Sequence, residues 1–123
     1  ALGSLDPVRD FNYVADTVEG FLAIAASPKS IGEIINIGSG RCVTIGETAR
    51  LIMKLTGRKA NIQSHKARRR PAKSEVFRLQ CDNRKAKRLL GWKPRYSLEE
   101  GLVKAIEYVR AHLSSYKTEI YNV

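Results

Sequence analysis

The stretch EIINIGSGRCVTIGETARLIMKLTG, residues 33–57, carries a strand, a turn and a helix in one reading. Glu33-Ile-Ile-Asn-Ile37 is β-branched and closes on Gly38-Ser-Gly40, so it reads as a buried strand ending in a tight turn. Thr44, with Glu47 three residues later, forms a capping box ahead of Ala49, Leu51, Ile52 and Leu55, and Gly57 supplies the stop. Upstream, Phe11 to Val14 alternates weakly as a short strand, and Val18, Phe21, Leu22 and Ala25 then recur at helical spacing until Pro28. Downstream, Lys59 to Ser64 reads as another strand, followed by a basic loop that runs to Pro71. Asp82 is a good N-cap for a short helix through Leu90, Gly91 stops it, and Trp92-Lys-Pro94 makes the next turn. Ser97 and Glu100 form a second capping box, opening a helix with Leu102, Ile106, Val109 and Leu113 on one face. The sum predicts an α/β chain of α+β character, helix-rich with a few short strands.

The chain has 123 residues, 43% of them apolar and 28% charged, a size that fits one domain with an ordinary core. Its 22 Lys and Arg against 12 Asp and Glu leave a net charge of +10, which favours anionic partners such as nucleic acid, acidic lipid or phosphorylated metabolites. No apolar run approaches the roughly 20 residues that span a bilayer. The N-terminal ALGSLDPVRD has neither a basic nor an apolar leader region, so a soluble, cytoplasmic protein without membrane partners is expected. Cys42 and Cys81 lack the neighbours of a zinc site, no metal is expected, and two buried thiols are the plain reading.

Three constellations bear on function. Gly38 to Val43, GSGRCV, stands between a strand and a capped helix as a dinucleotide-binding turn would, but Val43 fills the third glycine position and no acidic residue ends the next strand. A tight turn is the preferred reading. Arg9-Asp10 offers either a planar guanidinium for phosphate or a surface Arg–Asp pair. The third is HKARRRPAKSEVFRL, residues 65–79, where Arg68, Arg69 and Arg70 lead into a proline that stiffens the backbone before Ser74 and Glu75. Such a rigid basic bend suits a single anion better than a duplex groove. A duplex reader would show a basic helix, and a single-strand binder an aromatic platform; with aromatics at 7%, neither is visible.

Five pieces occur in one order: RDFNYVAD at 9–16, IINIGSG at 34–40, TIGE at 44–47, RPAKSEV at 70–76 and DNRKAKRLLGWKP at 82–94. In that order they resemble the C-terminal, substrate-binding part of the extended short-chain dehydrogenase/reductase family, the NAD-dependent nucleotide-sugar epimerases and 4,6-dehydratases. The resemblance covers residues 1–113, leaving 114–123 as a polar tail. RPAKSEV looks closest to dehydratases acting on UDP-N-acetylglucosamine or related sugars.

The resemblance implies a nucleotide-sugar substrate, UDP- or dTDP-linked, and NAD as cofactor. It also implies that the chain lacks most of the Rossmann sheet, since the family's Gly-rich cofactor turn and Tyr-x-x-x-Lys pair lie in its N-terminal half. None of Tyr13, Tyr96, Tyr108, Tyr116 and Tyr121 has a Lys four residues on, so no catalytic or cofactor-binding residue is assigned and the chain alone is expected to be inactive. Arg9 stands where the family sets an Arg on the substrate pyrophosphate, and Arg70 stands where a second Arg approaches it, with Arg69 as the competing assignment. Glu75 matches an acceptor for a ribose hydroxyl, while Leu2 and Gly3 match backbone bordering the base. The full enzyme is expected to be a homo-oligomer and the isolated chain to self-associate. Two other readings stand beside this one: a nucleic-acid-binding module using His65 to Arg70 as a phosphate strip, and an interaction fragment without a ligand.

Overall fold

The computed structural model describes residues 2–65, 68 and 74–116. In chain order the elements are β1 (Val8–Arg9), α1 (Val14–Ala26), β2 (Val43–Thr44), α2 (Ile45–Thr56), β3 (Arg78–Leu79), α3 (Arg84–Leu90) and α4 (Leu98–Ala111). The fold is α+β. The sheet order is β2-β1-β3, with β1 antiparallel to β2 through Val8↔Thr44 and Arg9↔Val43, and parallel to β3 through Val8↔Arg78 and Arg9↔Leu79. Residues distant in sequence therefore meet on the middle strand.

Both capping boxes form as read. The Thr44 hydroxyl accepts from Glu47 N and the Glu47 carboxylate accepts from Thr44 N; Ser97 and Glu100 repeat the pattern at α4. Gly57 ends α2 and Gly91 ends α3, each at φ +66°, where a side chain would be strained. The first amides of α2 are also satisfied from outside the helix, Ile45 N by Pro7 O and Gly46 N by Leu5 O. This docks α2 directly on the segment leading into β1.

Three strand expectations differ. Phe11 to Tyr13 is irregular and α1 already begins at Val14; the strand starts three residues earlier, at Val8–Arg9, because that is where β2 and β3 offer hydrogen-bond partners. Ile34 to Ile37 forms no strand: among the described residues its backbone has no backbone partner, and Ile34 is 84% exposed. It is held by side chains instead, Ile37 against Gly20 of α1 and Glu33 paired with Lys85 of α3 at 2.8 Å. Lys59 to Ser64 contributes one isolated parallel bridge, Leu2↔Ser64. The N-cap of α3 is Asn83, although Asp82 accepts from Arg84 N at 3.0 Å, capping one residue early.

The core is much smaller than the composition suggests. Among the described residues only Ala86 and Trp92 are buried apolar side chains, while Val14, Val18, Phe21 and Leu22 of α1 stand exposed. The turn after α3 is fixed by Asp16, 1% exposed, whose carboxylate accepts from Arg95 N and Tyr96 N at 3.0 and 3.2 Å. Tyr96 then meets Tyr13 edge-on at 4.8 Å, and Tyr13 lies over Gly101 of α4. No helix among the described residues is long and apolar enough to cross a membrane.

Candidate functional site

Arg9 lies on the middle strand, and its guanidinium does not pair with the adjacent Asp10. Nη2 donates to Glu75 Oε1 at 2.9 Å and Nη1 donates to the carbonyl of Val8 at 2.8 Å. The pair is well shielded, with side-chain exposures of 22% and 17%. Partial burial strengthens a charge-assisted bond compared with one in open water. Two contacts leave Arg9 with further N–H groups, since a guanidinium carries five.

The pairing brings the far end of the basic loop onto β1, and Val8 N reinforces it by donating to Phe77 O at 2.8 Å. The near end of the loop is fastened at the N-terminal segment. Leu2 N donates to Gln63 O, His65 N to Leu2 O, and the Ser64 hydroxyl to Gly3 O, all at 2.8–2.9 Å. Gly3 packs directly on the backbone of Arg68. Leu2, Gly3, Arg9 and Glu75 thus sit at the two anchor points of a single loop. Arg69 and Arg70 lie outside the described residues.

Asp10 performs a different task. Its carboxylate accepts from Ser39 N at 3.0 Å, Gly40 N at 2.8 Å, Cys81 N at 3.1 Å and the Ser39 hydroxyl. The amides that a Gly-rich turn would present to a phosphate are already committed to this carboxylate, so Gly38-Ser39-Gly40 does not fit a dinucleotide cofactor. The tight-turn reading holds. Asn83 adds to it by donating to Gly38 O at 2.8 Å. Nothing in the bare sequence marked Asp10 for this role except its place beside Arg9.

Cys42 and Cys81 are free and only half-buried, less buried than the sequence suggested. Burial, then the nearby Asp10 and Asp82 carboxylates, push the Cys81 thiol up, which makes it a poor nucleophile. Clefts lie elsewhere among the described residues. One, about 650 Å³, is bounded by Ser39, Arg41, Lys93, Arg95 and Glu99; another, about 590 Å³ and mainly apolar, runs between α2 and α4 past Ile52, Tyr108 and Val109. Neither is lined by Arg9 or Glu75. Charge and hydrogen bonding converge at β1, away from both clefts.

The sequence profile of the GDP-mannose 4,6 dehydratase family matches residues 1–105. UDP-glucuronic acid decarboxylase 1 of Xenopus tropicalis is 39% identical over 111 residues, which is 90% of this chain and 25% of the relative. An epimerase from Methanothermobacter thermautotrophicus superposes with a TM-score of 0.83 at 31% identity, covering 93% of this chain and 33% of that one. The UDP-glucuronic acid 4-epimerase of Bacillus cereus, solved with UDP-glucuronic acid and NAD, superposes with a TM-score of 0.79 at 31% identity, covering 89% of this chain and 34% of that one. The chain therefore spans about a quarter to a third of the length of these proteins. It belongs to the nucleotide-sugar epimerase/dehydratase family of extended short-chain dehydrogenases/reductases.

Proposed function

We propose that residues 1–113 form the nucleotide-sugar-binding part of an NAD-dependent epimerase or 4,6-dehydratase acting on a UDP- or dTDP-sugar. The observation that carries the proposal is the convergence at β1: Arg9, shielded and oriented, beside a basic loop anchored at both ends. Arg9 and Arg70, with Arg69 as the competing assignment, hold the diphosphate from two sides. Planar guanidinium groups suit it because each can make two parallel, oriented bonds to phosphate oxygens. Glu75, Leu2 and Gly3 border the nucleoside. The relatives solved with UDP-sugars support this reading. NAD is held by parts of the protein beyond this chain, because the one Gly-rich turn here is filled by Asp10. Binding energy gathered on the nucleotide, remote from the reacting carbon, would position the sugar for hydride transfer.

The test uses the full-length protein containing this chain. Arg9→Ala and Arg70→Ala should weaken nucleotide-sugar binding strongly while NAD binding stays normal, with Arg69→Ala milder. The isolated chain, incubated with NAD and a panel of UDP- and dTDP-sugars, should give no product. Negligible effects from all three arginine replacements, or turnover by the pure chain, would overturn the proposal.

A further inference from the structure

We infer that Glu75 is a positioning residue for Arg9: it fixes the plane of the guanidinium before any ligand arrives. This rests on the reading of Arg9 as a phosphate-binding group. An arginine side chain has four soft torsions and loses considerable rotamer freedom when it grips an anion. On β1 that freedom is already removed. Glu75 holds Nη2 at 2.9 Å and the Val8 carbonyl holds Nη1 at 2.8 Å, so the guanidinium is restrained at both terminal nitrogens.

The two partners reach this geometry by independent routes. Arg9 is placed by its pairings to Val43 and Leu79 on either side, and Glu75 by the path of the chain into Phe77, whose carbonyl bonds Val8 N. The same contact fastens the C-terminal end of the basic loop to the middle strand. A carboxylate this close to an anion site would ordinarily repel the anion. Glu75 is worth having there because it turns a flexible cation into a fixed one, and preorganisation of this kind raises affinity by lowering the ordering cost of binding.

The experiment follows the guanidinium Nη–H NMR signal of Arg9, and UDP and inorganic pyrophosphate binding, in the full-length protein. In wild type the Arg9 signal should exchange slowly with solvent. Glu75→Ala should make it exchange fast and weaken UDP and pyrophosphate several-fold, although a negative charge has been removed. Glu75→Gln, which keeps an oxygen acceptor, should restore most of both properties. In an Arg9→Ala background Glu75→Ala should cause no further loss of pyrophosphate binding, and the backbone spectrum of each variant verifies folding. An unchanged Arg9 signal in Glu75→Ala, pyrophosphate binding as tight as wild type, or pyrophosphate losses that add fully to those of Arg9→Ala would overturn the inference. If Arg9→Ala leaves UDP binding intact while the Arg9 signal still depends on Glu75, it is the phosphate role of Arg9 that falls.

Discussion

A β-carbon added to Gly3 would collide with the carbonyl oxygen of Arg68 and stand 3.1 Å from its carbonyl carbon. The obstruction is backbone, which cannot swing aside as a side-chain tip can. Gly3→Ala should therefore push the start of the basic loop off the N-terminal segment, at a cost of about 1–3 kcal/mol. Amide signals of His65 and Arg68 should shift, and UDP affinity of the full-length protein should fall. An alanine variant with unshifted signals at both residues would show that Gly3 sets no geometry there.

Asp16 offers a sharper stability test. Its carboxylate is 1% exposed and answers two backbone amides, Arg95 N and Tyr96 N. Asp16→Ala leaves both without an acceptor next to the buried Trp92 turn, and should cost about 2 kcal/mol or more. Asp16→Asn keeps one oxygen and should cost less. Urea unfolding of both variants measures the difference, and equal, small losses would mean the turn is held by packing alone.

The capping boxes and the Asp82–Arg84 pair give stability a definite pH dependence. The Thr44 amide, then its hydroxyl, hold the Glu47 carboxyl below its ordinary value, and Ser97 does the same for Glu100. The Arg84 guanidinium, then the Arg84 amide, bring Asp82 down to about 2. A carboxyl depressed in the folded state contributes stability that is complete above its unfolded pKa and lost as pH falls through the folded value. The melting temperature should accordingly be level above about pH 5 and fall progressively toward pH 2. All three groups are exposed, so salt should blunt the effect. Glu47→Gln with Glu100→Gln should flatten part of the fall; an unaltered pH profile in that double variant would remove the capping boxes as its cause.

The parts of the fold legible in the sequence are those whose partners lie close along the chain. Thr44 with Glu47, and Ser97 with Glu100, are three residues apart, so the pattern and the hydrogen bonds coincide. Ile34 to Ile37 has the composition of a buried strand, but composition cannot supply a neighbouring strand, and among the described residues none pairs with it. Asp10 gathers amides from residues 39, 40 and 81, and the bond from Arg9 to Glu75 spans 66 positions. Contacts of that range leave no local trace. The residues alone leave Arg9 open between a phosphate-holding group and a surface pair with Asp10, the ordered motifs of a family single out Arg9 and Glu75 together, and their direct contact is visible only in three dimensions.

The last prediction concerns the surface left uncovered on α1. Val14, Phe21 and Leu22 are 65%, 62% and 59% exposed, Val18 is 49% exposed, and Ile31 and Ile34 add 81% and 84%. Isolated apolar residues on a surface are ordinary, but four on one face of a helix, at 14, 18, 21 and 22, with two more in the segment that follows, are of the kind that marks an interface. The backbone at Ile34 to Ile37 adds N–H and C=O groups without backbone partners among the described residues, which is the usual template for pairing with another copy. The relatives are three to four times this length and have further chain that could cover such a surface. Alone, the 123-residue chain should self-associate, and light scattering across a dilution series should show mass rising with concentration alongside binding of an apolar dye. Phe21→Lys together with Ile34→Lys should suppress both while leaving the capping boxes, and so the helical content, intact. A monomer at high concentration with no dye binding would mean that α1 and residues 34–37 need no cover, and that the chain is a self-sufficient domain.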